Sequence, residues 1–221
     1  MSVPRQLAFA LPHAESFARD DFLTGSSNDA ALATIERWPD WADRVLALTG
    51  PEGAGKSHLA AIWAEKAGAR RVSARALGET DLLGELATGA LVVEDASAKL
   101  DERSLFHLLN LVREEEGYLL LTAQSAPATW GVGLPDLASR LRALPVVAVS
   151  APDDALLRAV MVKLFADRQL SVDESLIAYL ATRIERSFAA ARKAVEQLDR
   201  EALRQKRGVT RALAAELLGA S

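Results

Sequence analysis

The run Gly50-Pro51-Glu52-Gly53-Ala54-Gly55-Lys56-Ser57 fits G-x-x-x-x-G-K-[ST] without a mismatch. It constrains the fold more than any other stretch, because such a loop works only between a buried strand and the start of a helix. Its glycines let backbone N–H groups turn inward on a polyphosphate. Lys56 supplies a point charge for the β/γ oxygens, and the Ser57 hydroxyl is placed to ligate Mg2+. The flanks agree. Residues 45–48 read as a short buried strand, and 58–66 as a helix, opened by His58, whose positive end meets the phosphates. All nine residues from Gly50 to His58 are therefore candidate nucleotide contacts.

Apolar, strand-like runs recur at 45–48, 70–73, 91–93, 118–122 and 146–149, with helical patterns between them, as at 105–115 and 134–141. Strands alternating with helices predict an α/β fold with a five-stranded parallel sheet covered on both faces. After Pro152 the strands stop. Helices are expected over 153–169, from Ser171 to 184, over 187–207 and after Thr210. The organisation expected is an extended tail over 1–12, a nucleotide-binding α/β domain over 13–150 and a helical lid over 151–221.

Composition narrows the chemistry. With no cysteine there is no disulfide and no thiolate metal site. His13, His58 and His107 are scattered without ligand spacing. No apolar run approaches the ~20 residues that a membrane span needs, and the short apolar stretch after Arg5 is no secretory signal. A cytoplasmic protein without a membrane partner is the expectation. The formal charge of −4 argues against a dedicated nucleic-acid binder, so any DNA contact should be indirect or weak. The basic residues between Arg183 and Arg211 read as a solvated helical face, with a surface for nucleic acid or an acidic partner as the alternative.

Three further features bear on phosphoryl chemistry. Strand 91–93 runs into Glu94 and Asp95, a pair suited to holding hydrated Mg2+ (Glu94) and polarising an attacking water (Asp95). The order is Glu then Asp, where such ATPases more often place Asp first. Thr122-Ala123-Gln124, at the end of the fourth strand, brings polar groups, Gln124 among them, beside the γ-phosphate position; a sensor and an ordinary turn are equally compatible with those residues. Arg140 lies on the helix before the fifth strand. There it is either a solvated arginine or one that projects into a neighbour's nucleotide.

Gly-Ala-Gly-Lys-Ser-His-Leu (53–59), Leu-Pro-Asp-Leu-Ala-Ser-Arg-Leu (134–141) and Glu-Gln-Leu-Asp-Arg-Glu-Ala (196–202) resemble the Hda family, DnaA-related AAA+ proteins of bacterial replication control. The likeness runs from about residue 5 to the C-terminus. It implies an AAA+ core with a helical lid, bound ADP or ATP with Mg2+, and Arg140 as an arginine finger. It also implies a segment including Leu23 and Asn28 that covers the adenine. Gln6-Leu7-Ala8-Phe9-Ala10-Leu11 is similar to the hexapeptide that docks on the β sliding clamp, which makes Gln6, Leu7, Phe9 and Leu11 the anchors. One departure stands in the lid: Ala189 falls where DnaA-like proteins carry a sensor arginine, leaving Arg186 or Arg192 as substitutes. Together with the inverted acidic pair, this implies weak intrinsic hydrolysis. DnaA continues into a helix-turn-helix domain and this chain stops at Ser221, so the expected targets are proteins: the clamp, DnaA and, in a homo-oligomer, further copies. The function implied is repression of re-initiation by promoting ATP hydrolysis on DnaA. The alternatives are an autonomous ATPase serving a clamp or helicase loader, and a nucleotide-gated adaptor without catalytic input.

Overall fold

The computed structural model describes residues 17–97 and 99–219 of the 221-residue chain. The tail residues Gln6, Leu7, Phe9 and Leu11 lie outside the described part. The chain divides into two units, with the division between Ala151 and Pro152.

In the first unit, β1 (Val45–Thr49), β2 (Arg70–Ser73), β3 (Ala90–Ala96), β4 (Tyr118–Ala123) and β5 (Val146–Ala148) form one sheet. Its order is β2-β3-β4-β1-β5, and every neighbouring pair is parallel. A parallel strand in mid-sheet has no solvent face, which is why these strands read as continuous apolar runs; all five residues of β1 are buried. One face, with Leu91, Val93, Leu119 and Leu121, packs on α3 (Leu82–Leu86), α4 (Glu102–Glu114) and α5 (Pro135–Ala143). The other, with Leu46, Leu48, Val92 and Leu120, packs on α1 (Asp29–Glu36) and α2 (Lys56–Ala67).

Several features of this unit go beyond the sequence expectation. Helices α1 and α3 were not anticipated, and neither was the aromatic cluster that pins the loop between α1 and β1. In that cluster Trp41 stacks on Trp63 at 5.1 Å, while Trp38 and Tyr118 meet these rings edge-on. Strand β3 also continues to Ala96 instead of ending at 93. Val93 pairs with Leu121 and Ala96 with Ala123, so three steps along β3 match two along β4. The extra residue makes a β-bulge, and Asp95 within it has a φ of +58°.

The second unit contains α6 (Asp154–Asp167), α7 (Glu174–Ala181), α8 (Phe188–Gln205) and α9 (Arg211–Leu218) around Leu157, Met161, Phe165, Leu180, Val195 and Leu213. Each helix opens on a side-chain cap: Asp153, Asp173, Ser187 and Thr210 accept the N–H of Leu156, Leu176, Ala190 and Leu213. The cap of α7 is Asp173, not Ser171, because the carboxylate three residues ahead of Leu176 takes its free amide. Ser187 is buried. Ser187→Ala should therefore cost about 0.5–2 kcal/mol, read as a lower melting temperature, and Ser187→Thr should recover most of it. Among the described residues, no helix is long and apolar enough to cross a membrane.

Candidate functional site

The loop after β1 leaves the sheet where strand order reverses, between β4 and β5, which is where open α/β sheets place their ligands. Its backbone demands glycine. A Cβ on Gly50 would stand 2.1 Å from the Val149 carbonyl oxygen, and Gly53 and Gly55 have φ of +70° and +97°. Gly55 caps α2, so the helix begins at Lys56, two residues before the expected start. The loop is tied to the sheet by Gly50 N–H donating to Ala123 O at 3.1 Å. Pro51 and Glu52 are exposed, Ala54 is buried beneath the loop, and Ser57 is exposed in the first turn of α2.

Lys56 is only 8% exposed. Its ammonium donates to the carbonyls of Gly50 (2.8 Å) and Pro51 (2.7 Å). Burial pushes its pKa below the ordinary lysine value, while the carboxylates of Asp95 and then Glu52 pull it back up. A desolvated cation held by loop carbonyls is poised to exchange them for anionic oxygens.

Ahead of α1, residues 17–28 fold against this loop. His58 Nε2 lies 3.0 Å from the Ala18 carbonyl, and the His58 ring meets Phe17 and Phe22 edge-on at 5.3 and 5.0 Å. Asn28 is buried: its side-chain amide donates to Leu23 O (3.0 Å), and its Oδ1 accepts the Gly25 N–H (2.9 Å). Leu23 and Asn28, paired in the sequence reading, are thus one hydrogen-bonded turn, and His58 links the preceding residues to the phosphate loop.

The acidic pair splits. Glu94 accepts two hydrogen bonds from Arg71 of β2, from Nε at 2.9 Å and Nη2 at 2.6 Å. Asp95 is exposed, and its backbone N–H donates to the Thr122 hydroxyl at 3.1 Å. Thr122 is buried and Gln124 is exposed at the end of β4.

Arg140 turns onto its own neighbour α4. Its Nη1 donates to Asn110 Oδ1 at 2.7 Å, and its guanidinium lies 4.7 Å over the Phe106 ring. In the lid unit, Arg186 forms an exposed ion pair with Asp154 at 2.9 Å. Arg200, Arg204 and Arg207 are likewise paired, with Glu196, Glu201 and Glu216, as a solvated helical face would be. Arg71, Asn110 and Phe106 escaped the sequence reading. Their roles come from strand register and helix packing, which the sequence does not show.

No protein-family model matches the chain. Solved structures share its fold. Domain III of the replication initiation protein DnaA from Thermotoga maritima superposes with a TM-score of 0.76 at 18% identity, covering 92% of this chain and 96% of that one. AMPPCP-bound DnaA from Aquifex aeolicus gives 0.64 at 18% identity, over 84% of this chain and 66% of that one. The RuvB Holliday junction branch migration motor of Thermotoga maritima gives 0.70 at 14% identity, over 93% and 72%. The five-stranded parallel α/β sheet with its helical layers is the fold these structures share.

Proposed function

We propose that this chain is an adenine-nucleotide-binding AAA+ regulator that, tethered to the DNA-loaded sliding clamp, promotes ATP hydrolysis by DnaA. The observation that carries the reading is the phosphate loop: three glycines in backbone states a side chain would block, with Lys56 desolvated beside them. ADP or ATP fits that cradle. Loop amides and the α2 N-terminus would hold the phosphates, Lys56 would trade Gly50 O and Pro51 O for phosphate oxygens, and the turn from Leu23 to Asn28 would cover the base. Ser57 and an acidic residue of β3 would hold Mg2+, which would supply positive charge to neutralise the phosphates.

The finer part of the reading rests on the Hda-like segments and on AAA+ relatives that include AMPPCP-bound DnaA. Glu94 engaged by Arg71 favours slow turnover by this chain itself. Its contribution would then fall on a partner's nucleotide, through Arg140, whether that partner is DnaA or another copy. Such a protein works in the cytoplasm at the replisome.

Calorimetry against ADP and ATP tests the first part: one-to-one saturable binding is expected, and no binding of either nucleotide overturns it. DnaA ATP hydrolysis tests the second. Stimulation is expected only with this chain, the clamp and DNA together, and an unchanged rate overturns it. Gln6→Ala combined with Leu11→Ala should abolish clamp binding in a pull-down while leaving nucleotide affinity and melting temperature at parental values. Clamp binding that survives the double change rules out the tail as the tether.

A further inference from the structure

We infer that Glu102 is a positioning residue for Arg140: it ties the start of α5 to α4, and so sets where the guanidinium further along α5 points. This rests on the reading of Arg140 as an arginine offered to a partner's nucleotide, and it names the side chain that aims it.

Helix α5 opens without a cap of its own. Leu134, at the N-cap, has no side-chain acceptor, and Pro135 follows at the first helical position. Amides at a helix start need acceptors from outside the helix. Glu102, the first residue of α4, supplies them to the lead-in: its Oε1 accepts the Gly133 N–H at 2.8 Å and its Oε2 the Leu134 N–H at 3.0 Å. Asp101 already caps α4 by accepting the Ser104 N–H at 2.7 Å, which leaves the Glu102 carboxylate for α5. Hydrogen bonds to an ionised acceptor are among the stronger ones, and using both oxygens adds geometric specificity.

Glu102, Phe106 and Asn110 follow one another at intervals of four along α4, so they line one face of it. All three meet α5 or its lead-in. Glu102 holds Gly133 and Leu134, Phe106 lies under the Arg140 guanidinium, and Asn110 accepts from Arg140 Nη1. The two helices therefore run in the same direction and are tied at both ends. Between the ties, α5 buries Leu137 and Leu141 in the core. Apolar burial is non-directional and leaves a helix free to slide or turn by small amounts; the polar ties remove that freedom. Arg140 lies about 9 Å along the helix from Leu134, and a rigid helix carries any shift at its start to the guanidinium. Loss of the Glu102 tie would leave α5 packed but its arginine misplaced, and an error of about 1 Å can cost about 10²-fold in rate.

The test has two readouts. The first needs the full chain alone. The chain has no cysteine, so Ser139→Cys puts a single spin label on the exposed residue beside Arg140, and the label's spectrum reports the motion of α5. Glu102→Ala should make the label more mobile. Glu102→Gln, which keeps the reach and one acceptor oxygen, should fall between. An unchanged spectrum in Glu102→Ala overturns the tie. The second readout is DnaA ATP hydrolysis with clamp and DNA. Glu102→Ala should lower the saturated rate by about tenfold or more and leave the half-stimulating concentration of the chain unchanged, with Glu102→Gln recovering part of the rate. Added to Arg140→Ala it should cost nothing further, because a residue acting only through Arg140 has nothing left to position. A merely structural role gives the same fold-loss in both backgrounds, and that result overturns the inference, as does parental stimulation in Glu102→Ala. If Arg140→Ala stimulates as well as the parent, or the parent does not stimulate at all, the trans reading fails and takes the aiming role with it. The spectra then show separately whether Glu102 holds α5.

Discussion

Lys56→Ala should weaken ADP and ATP by at least about tenfold, or about 1.4 kcal/mol, with both nucleotides affected because both carry a β-phosphate. The reason is local. Lys56 is a buried ammonium whose charge is met in the free protein by two backbone carbonyls, not by a carboxylate in contact. Phosphate oxygens offer it full negative charge in the same place. The charge state gives a second handle. Burial lowers the Lys56 pKa, so the free protein loses this proton at a pH below the ordinary lysine value. Since phosphate binding favours the protonated form, affinity should fall as the pH rises through that lowered value. Lys56→Arg stays charged over the same range and should show no such fall. Calorimetry across the alkaline range measures both effects, and unchanged affinity in Lys56→Ala would remove the phosphate loop as a nucleotide site.

The loop was legible because its chemistry is written in consecutive residues: the glycine spacing states where the backbone must turn, and the sheet only has to receive it. The buried strands were legible for a similar reason, since a strand covered on both faces has no polar positions to blur it. Ser187 and Thr210 were readable as caps because each sits immediately before its helix. Asp173 was missed because Ser171, two residues earlier, is an equally good cap by type; only the chain geometry decides between them.

What stayed hidden depends on partners distant in sequence. Val93-Glu94-Asp95-Ala96 gives no sign of an inserted residue, because the bulge exists only against the register of β4. The Arg71–Glu94 pair likewise needs β2 and β3 side by side, with Arg71 opposite Val92. The tryptophan cluster joins a loop, α2 and the start of β4. Helix α3 has five residues, one of them Gly84, too short and too weakly helical to show a periodic stripe. The pair Leu23 and Asn28 came from a resemblance, and their hydrogen bond supplies the physical reason for their association.

Arg140→Ala should leave ADP binding and clamp binding at parental levels and remove most of the stimulation of DnaA hydrolysis. The effect expected is large, because an arginine supplied in trans is worth ~10³–10⁵ in rate. The contacts of Arg140 bear on how it would act. Asn110 accepts one of the five guanidinium N–H groups, and Phe106 supports the flat face, leaving the remaining donors of the fork for a partner's phosphate oxygens. Holding the fork in this way lowers the entropy of engaging a phosphate. Arg140→Lys should not restore the rate, because an ammonium has neither the planar face for Phe106 nor a second parallel donor. Asn110→Ala should fall between parent and Arg140→Ala, losing orientation but not charge. The competing account takes the same contacts at face value: Arg140 joins α5 to α4 and has no other task. On that account Arg140→Ala loses the roughly 1 kcal/mol of a half-buried cation–π contact, lowers the melting temperature slightly and stimulates DnaA as well as the parent does. Stimulation at the parental level would overturn the trans mechanism and leave an adaptor that brings DnaA to the clamp without entering its active site.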